Sequence, residues 1–190
     1  MITKVNSQIY TLDEYREQEE VADFRSEYHD GKIVPMTGGT INHNRIVRNL
    51  VSILDTFLKG KPYEVFTSDL RVWIPEYKRG VYPDVMIVAN QPVFNDNRQD
   101  EILNPAFVVE VLSKSTEEYD RGNNFLYYRS IPEFQEYLLI SQYEYLVEHY
   151  KKTGEEQWLL QGYRGNNSEI ALQSIDGSLA INDLYSMVDF

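Results

Sequence analysis

Two acids set inside apolar runs are the residues of this chain best placed to do chemistry. Asp84 lies in YPDVMIV (82–88) and Glu110 in FVVEVL (107–112). A carboxylate buried in such a strand is costly unless it is paired, so a partner is expected nearby. If the two strands lie side by side, Asp84 and Glu110 offer oxygen ligands to one divalent ion. Hard cations such as Mg²⁺ or Mn²⁺ take one or two carboxylates together with waters and phosphate oxygens. Such an ion acidifies water and neutralises charge on a scissile phosphate, which is the chemistry of phosphodiester cleavage. A buried acid paired to an arginine, or capping a loop, explains the same two residues equally well.

Strand alternation puts Phe107, Val109 and Val111 on one face, and Val108, Glu110 and Leu112 on the other. Pro83, just before Asp84, marks a strand start or an edge strand, because proline gives the ladder no donor. Glu27, in SEYH, reads alone as a solvated strand residue and gains a role only if the fold brings it beside Asp84. His43 opens a helical segment and fits a capping position better than general acid–base work or a phosphate contact. With only three histidines in the chain, a three-histidine zinc site is not expected. Asp120, Asn124 and Tyr128 share one helical stripe, which reads as a wet face. Gly122, between them, costs about 1 kcal/mol in a helix and suggests close packing.

The elements that must hold these residues follow from pattern. Thr11 and Glu14 form a capping box ahead of a helix to about residue 23. Asp30-Gly31 is a hairpin turn between two short strands. Ile46, Val47, Leu50, Val51, Leu54, Phe57 and Leu58 recur at helical spacing over 42–59, and Gly60 stops that helix. Strands are predicted at 63–66, 70–74, 85–89 and 106–112, punctuated by Pro75, Pro92 and Pro105. A helix over 117–129 ends before Pro132. Strands at 136–140, 145–151, 157–161 and 169–172 and a helical tail at 181–190 complete the chain. This order predicts an α/β (α+β) domain with a mixed central sheet flanked by helices, preceded by an N-terminal helix and hairpin.

Composition narrows the function classes. The 190 residues suit one domain with a substantial core. The absence of cysteine excludes disulfides, thiolate metal sites and cysteine nucleophiles. Residues 1–7 lack a secretory apolar core and no run approaches a membrane span, so a soluble cytoplasmic protein is expected. A net charge of −12 counts against non-specific nucleic-acid binding but leaves room for a local basic strip. Its candidates are Arg45, Arg48, Lys59, Lys61, Arg71, Lys78 and Arg79, most of which read as scattered solvated charges. Fifteen tyrosines suit amphipathic surface and interface positions rather than base stacking.

Taken in order, EYHDGKIVPM, NHNRIVRNL, FTSDLRVWIP, YPDVMIV and NPAFVVEVLSKSTEEYDRGNNFLYYRSIPEFQEYLLI resemble the Uma-two family of restriction-type endonucleases. That resemblance spans nearly the whole chain and implies the PD-(D/E)XK, restriction endonuclease-like fold over residues 1–190. It implies that Asp84 and Glu110 are the principal metal ligands, helped by a backbone carbonyl near Val111. Glu27 would be the helical-side or hairpin acid that joins them. In the parent fold a lysine stands two residues after the strand acid; here that position is Leu112. In the family the lysine typically moves to the following helix, where this chain carries Asn124. A neutral amide is a poor substitute for a cation that orients water and stabilises developing charge. Lys114 or Arg121 is the expected replacement.

The expected activity is Mg²⁺- or Mn²⁺-dependent hydrolysis of DNA phosphodiesters, possible as a homodimer because duplex cleavage needs two sites. One alternative is a weakened relative that binds metal or nucleic acid without cutting. The other is a dimerising interaction protein that uses the tyrosine-rich strands between Tyr137 and Tyr150.

Overall fold

A computed structural model describes residues 8–190 of the chain; the segment 1–7, read above for a leader, lies outside the described residues. Helix α1 (Leu12–Val21) starts at the predicted capping box: the Glu14 amide donates to Thr11 Oγ1 at 3.2 Å and the Thr11 amide to Glu14 Oε2 at 2.7 Å. Strands β1 (Ser26–His29) and β2 (Lys32–Pro35) form the predicted hairpin. Both turn residues have positive φ, 45° at Asp30 and 90° at Gly31, the geometry that matches the twist of a two-residue hairpin. Helix α2 (Ile41–Leu58) follows, capped by Thr40, and buries Ile46, Leu50, Leu54 and Leu58.

Strand β3 (Tyr63–Thr67) leads to β4 (Arg71–Ile74), the three-residue β5 (Arg79–Val81) and β6 (Val85–Ala89). The two-residue β7 (Glu101–Ile102) precedes the long β8 (Pro105–Leu112). Next comes a composite helix: α3 (Glu117–Tyr119), a π-turn over Asp120–Asn124, and α4 (Phe125–Tyr128). Strands β9 (Glu136–Ser141), β10 (Leu146–Lys152), β11 (Trp158–Arg164), β12 (Glu169–Leu172) and β13 (Gly177–Ala180) complete the sheets. Helix α5 (Ile181–Leu184) is far shorter than the predicted tail helix, since Met187 turns to φ 62° just beyond it.

The main sheet has the order β11-β10-β9-β8-β6-β3. It is antiparallel except between β8 and β9, which run parallel and are joined by the composite helix. A second sheet, β2-β1-β5-β4-β7, joins the N-terminal hairpin to strands from the middle of the chain, and β12-β13 pair separately. One face of the main sheet packs against α2, α5 and the β12-β13 pair through Val85, Ile87, Phe107, Val109 and Val111. The other face packs against α4 through Met86, Val88, Val108, Leu112, Tyr137 and Leu139. The architecture is the expected mixed α/β one, with mixed sheets flanked by helices.

Several expectations are corrected. The stripe of Asp120, Asn124 and Tyr128 is not a wet face: all three side chains are buried under the composite helix. Gly122 is not a close-packing glycine, because a Cβ there would meet nothing within 4 Å among the described residues. Pro83 stands before the first residue of β6, which lies between β3 and β8, so it marks a strand start and not an edge. Arg71 is not a surface cation; it is 1% exposed and sits 2.7 Å from Glu101, whose other oxygen binds Arg16. Many tyrosines are core residues whose hydroxyls find backbone acceptors, as Tyr137 does on the Asp120 carbonyl and Tyr185 on that of Ser141. Tyr137 is therefore unavailable for the imagined tyrosine interface.

Candidate active site

Register brings the two carboxylates together. In the antiparallel pair β6–β8, Val85 faces Val109 and Met86 faces Val108. One further step along that register sets Asp84 opposite Glu110. The backbone ties the pair closed: the Val111 amide donates to Asp84 Oδ2 at 2.7 Å, and the Asp84 amide donates to Glu110 Oε2 at 3.2 Å. The Val111 contact seen here is thus made by its N–H.

The composite helix roofs this pair. Asn124 Nδ2 donates to Glu110 Oε1 at 3.3 Å and to Asp120 Oδ1 at 3.2 Å, and the Tyr128 hydroxyl donates to Glu110 Oε1 at 3.2 Å. The residue at the family's lysine position therefore does reach the strand acid. Its own Oδ1 is buried without a partner among the described residues. A π-turn widens the helix over Asp120–Asn124, a feature that recurs at functional sites.

From the other side, His43 on the first turn of α2 places Nε2 3.1 Å from Asp84. Gly39 makes room for it: a Cβ at residue 39 would stand 2.7 Å from His43 Nδ1. Glu27, on β1, accepts from the Tyr82 amide at 3.4 Å and meets His29 Nε2 at 2.7 Å, which anchors it two residues from Asp84 in the chain.

Three acids crowd one another with little to offset them. Burial first, then the charges of Asp120 and Asp84, hold the Glu110 carboxyl well above its usual range. Asp120 is pushed up to about 6, chiefly by burial, with hydrogen bonds from Thr116 and Asn124 opposing and the charges of Asp84 and Glu27 adding. For His43, burial works against the charged ring, but the Asp84 hydrogen bond and charge outweigh it and the pKa rises. Among the described residues, no lysine or arginine makes a salt bridge to Asp84, Glu110 or Asp120.

Lys114 is exposed, and its ammonium lies 5.6 Å from the Tyr143 ring centroid. Arg121 is engaged by Glu117 at 2.9 Å and Glu148 at 2.8 Å. Neither reaches the carboxylates in this structure. Asp120 and Tyr128 were missed as site residues because a polar helical stripe usually faces water. Their spacing of four from Asn124 was the available signal.

A hard divalent cation suits this donor set. Among the described residues the two adjacent carboxylates have no counter-cation but His43 on Asp84, and the buried Asn124 Oδ1 has no donor, which together leave negative potential only partly answered. Among the described residues no three acid or histidine side chains form a ready cage. An ion here would thus complete its shell with water or phosphate oxygens, as magnesium commonly does.

Comparison with known proteins gives this geometry a context. The chain is 45% identical over 170 residues to the uncharacterized protein sll1609 of Synechocystis, covering 90% of this chain and 96% of that one. It is 34% identical over 179 residues to slr1290 of the same organism, also uncharacterized, covering 94% and 92%. Its fold matches the crystal structure of a protein from Anabaena variabilis described as a "putative nuclease belonging to DUF820". That match has a TM-score of 0.76 at 22% identity, covering 93% of this chain and 98% of that one. The sequence model of the Uma2 family, described as "Putative restriction endonuclease", matches residues 12–182, and the chain belongs to that family.

Proposed function

We propose that this protein is a metal-dependent endonuclease that hydrolyses DNA phosphodiester bonds at the Asp84–Glu110 pair. The observation that carries this reading is the pairing itself: two carboxylates from neighbouring strands, locked by mutual backbone hydrogen bonds and, among the described residues, left without a basic partner other than His43. Family membership supports it. Asp84 and Glu110 would hold Mg²⁺ or Mn²⁺, and the ion would supply acidified water and charge neutralisation at the phosphate. Tyr128 and Asn124 fix the orientation of Glu110, and Val111 fixes that of Asp84. Glu27 adds negative charge beside the pair and is tied to the turn that carries Asp84. His43, half-buried on the first turn of α2, holds a proton between itself and Asp84.

The test is nicking of supercoiled plasmid in Mn²⁺ at low salt by wild type and Glu110→Ala prepared in parallel. Cleavage by wild type that is lost in the variant supports the reading; equal activity in both refutes it. A second reading is a relative that binds metal or nucleic acid without cutting. Asn124 favours it, because the amide on Glu110 carries no positive charge. Metal binding without nicking by wild type would support this second reading.

A further inference from the structure

Next to the acid pair lies a cluster that the reading above leaves unused. Strand pairing sets His29 on β1 directly opposite Arg79 on β5, three residues upstream of Tyr82 and the Asp84 turn. The Arg79 guanidinium lies 4.8 Å from the Tyr127 ring centroid, and its Nη2 donates to the Tyr127 hydroxyl at 3.4 Å. Tyr77 packs on Tyr127 at 4.6 Å, and Tyr119 approaches the same ring at 6.4 Å. Tyr119 also stacks on His29 at 5.8 Å, and His29 holds Glu27.

Two donors of this cluster are buried with no acceptor among the described residues: Arg79 Nε and the Tyr119 hydroxyl. Burying a donor without a partner is unfavourable, so both groups favour an acceptor brought by a ligand. Arg79 has no carboxylate within salt-bridge distance among the described residues, whereas Arg16, Arg71, Arg98 and Arg121 all do. In a chain of net charge −12, a half-buried arginine left without an acid is unusual. It also stands within electrostatic reach of the site. Burial raises the Tyr119 pKa, the charges of Glu27 and Asp120 raise it further, and that of Arg79 opposes them.

We propose that Arg79, clamped by Tyr127 and flanked by Tyr119 and His29, is the phosphate-binding cation of this site, receiving the non-bridging oxygens of a nucleic-acid phosphodiester. Arginine suits the role because its planar fork meets phosphate with two parallel hydrogen bonds. The aromatic clamp holds that fork in place before substrate arrives. The assignment rests on the nuclease reading. It also explains how an acidic protein could retain a nucleic acid beside three carboxylates when Asn124 replaces the expected lysine.

The experiment is fluorescence anisotropy of fluorescein-labelled 30-mers (duplex DNA, single-stranded DNA and RNA) in Ca²⁺, across a salt series. Wild type, Arg79→Ala, Arg79→Lys and the remote Arg164→Ala are compared, with circular dichroism melts for each. We expect Arg79→Ala to weaken binding at least tenfold and to lower the salt slope by about one phosphate contact. Arg79→Lys should recover part of the loss, and Arg164→Ala should stay within twofold of wild type. Wild-type binding with an unchanged Arg79→Ala affinity and slope would overturn the assignment alone. No binding of any probe by folded wild type would overturn the nuclease reading and the assignment with it. An Arg79→Ala variant that melts early is replaced in the comparison by Arg79→Gln, judged by the same criteria.

Discussion

Replacing Asp120 by asparagine should stabilise the metal-free protein at neutral pH. Asp120 is 6% exposed and held beneath the composite helix, where burial and the charges of Asp84 and Glu27 oppose its ionisation. Its carboxyl is pushed up from 3.8 to about 6. A raised carboxyl binds its proton more tightly in the folded chain than in the unfolded one. Folding stability from this group therefore falls as pH rises through that window and is level above it. At about 1.4 kcal/mol per pH unit, the window is worth about 3 kcal/mol. Asparagine removes the charge and keeps an acceptor for the Asn124 Nδ2 hydrogen bond, now 3.2 Å long. The assay is urea denaturation followed by tryptophan fluorescence in EDTA, wild type against Asp120→Asn, from pH 4 to pH 8. The variant should match wild type near pH 4 and exceed it by about 3 kcal/mol above pH 6. Distant acids that titrate in the same range cancel in the difference, whereas Glu110, raised in part by the Asp120 charge, is relieved along with it and adds to the gap in the same direction. Added Mn²⁺ should narrow the gap, since a cation at Asp84 and Glu110 relieves the same repulsion. A gap that does not change with pH, or an Asp120→Asn variant less stable than wild type at pH 7.5, would refute the electrostatic account of this site.

Three further outcomes are expected. Asn124→Lys puts a cation where the amide now touches Glu110 at 3.3 Å, and Mn²⁺-dependent nicking should rise on the order of 10²; an unchanged rate would mean that Asn124 is not what limits the enzyme. Gly39→Ala should displace the His43 ring from Asp84 and lower the His43 pKa in an NMR titration, because the contact that favours the imidazolium is lost; an unmoved titration would show that the ring does not need this glycine. Glu101→Gln leaves Arg16 and Arg71 without their shared counter-charge in a fully buried position and should cost about 3–5 kcal/mol by chemical denaturation, with a loss under 1 kcal/mol counting against the network.

Much of this fold is legible from local pattern. The capping box at Thr11, the Asp30-Gly31 turn, the long apolar stripe of α2 and the strands at Val85 and Glu169 all form where turn chemistry and periodicity place them. The strands β5, β7 and β13 were not foreseen. β5 and β7 are only two or three residues long, and Arg79-Gly80 and Glu101 carry no apolar alternation to betray them. They exist because neighbouring strands offer them a ladder. The tail helix was overextended because helical propensity does not report the backbone reversal at Met187.

For the site, the chain alone supplied the two strand acids, their faces and the resemblance that made Asn124 a substitution worth noticing. Those are properties of residue type and of a two-residue period. That Asp84 faces Glu110, that the Asp120-Asn124-Tyr128 stripe turns inward, and that Arg71 is spent on Glu101 while Arg79 meets no acid among the described residues were decided only by tertiary structure. A local pattern can say which residues share a face of one element. Which face is buried, and which charge meets which, depends on register and packing between segments far apart in the chain.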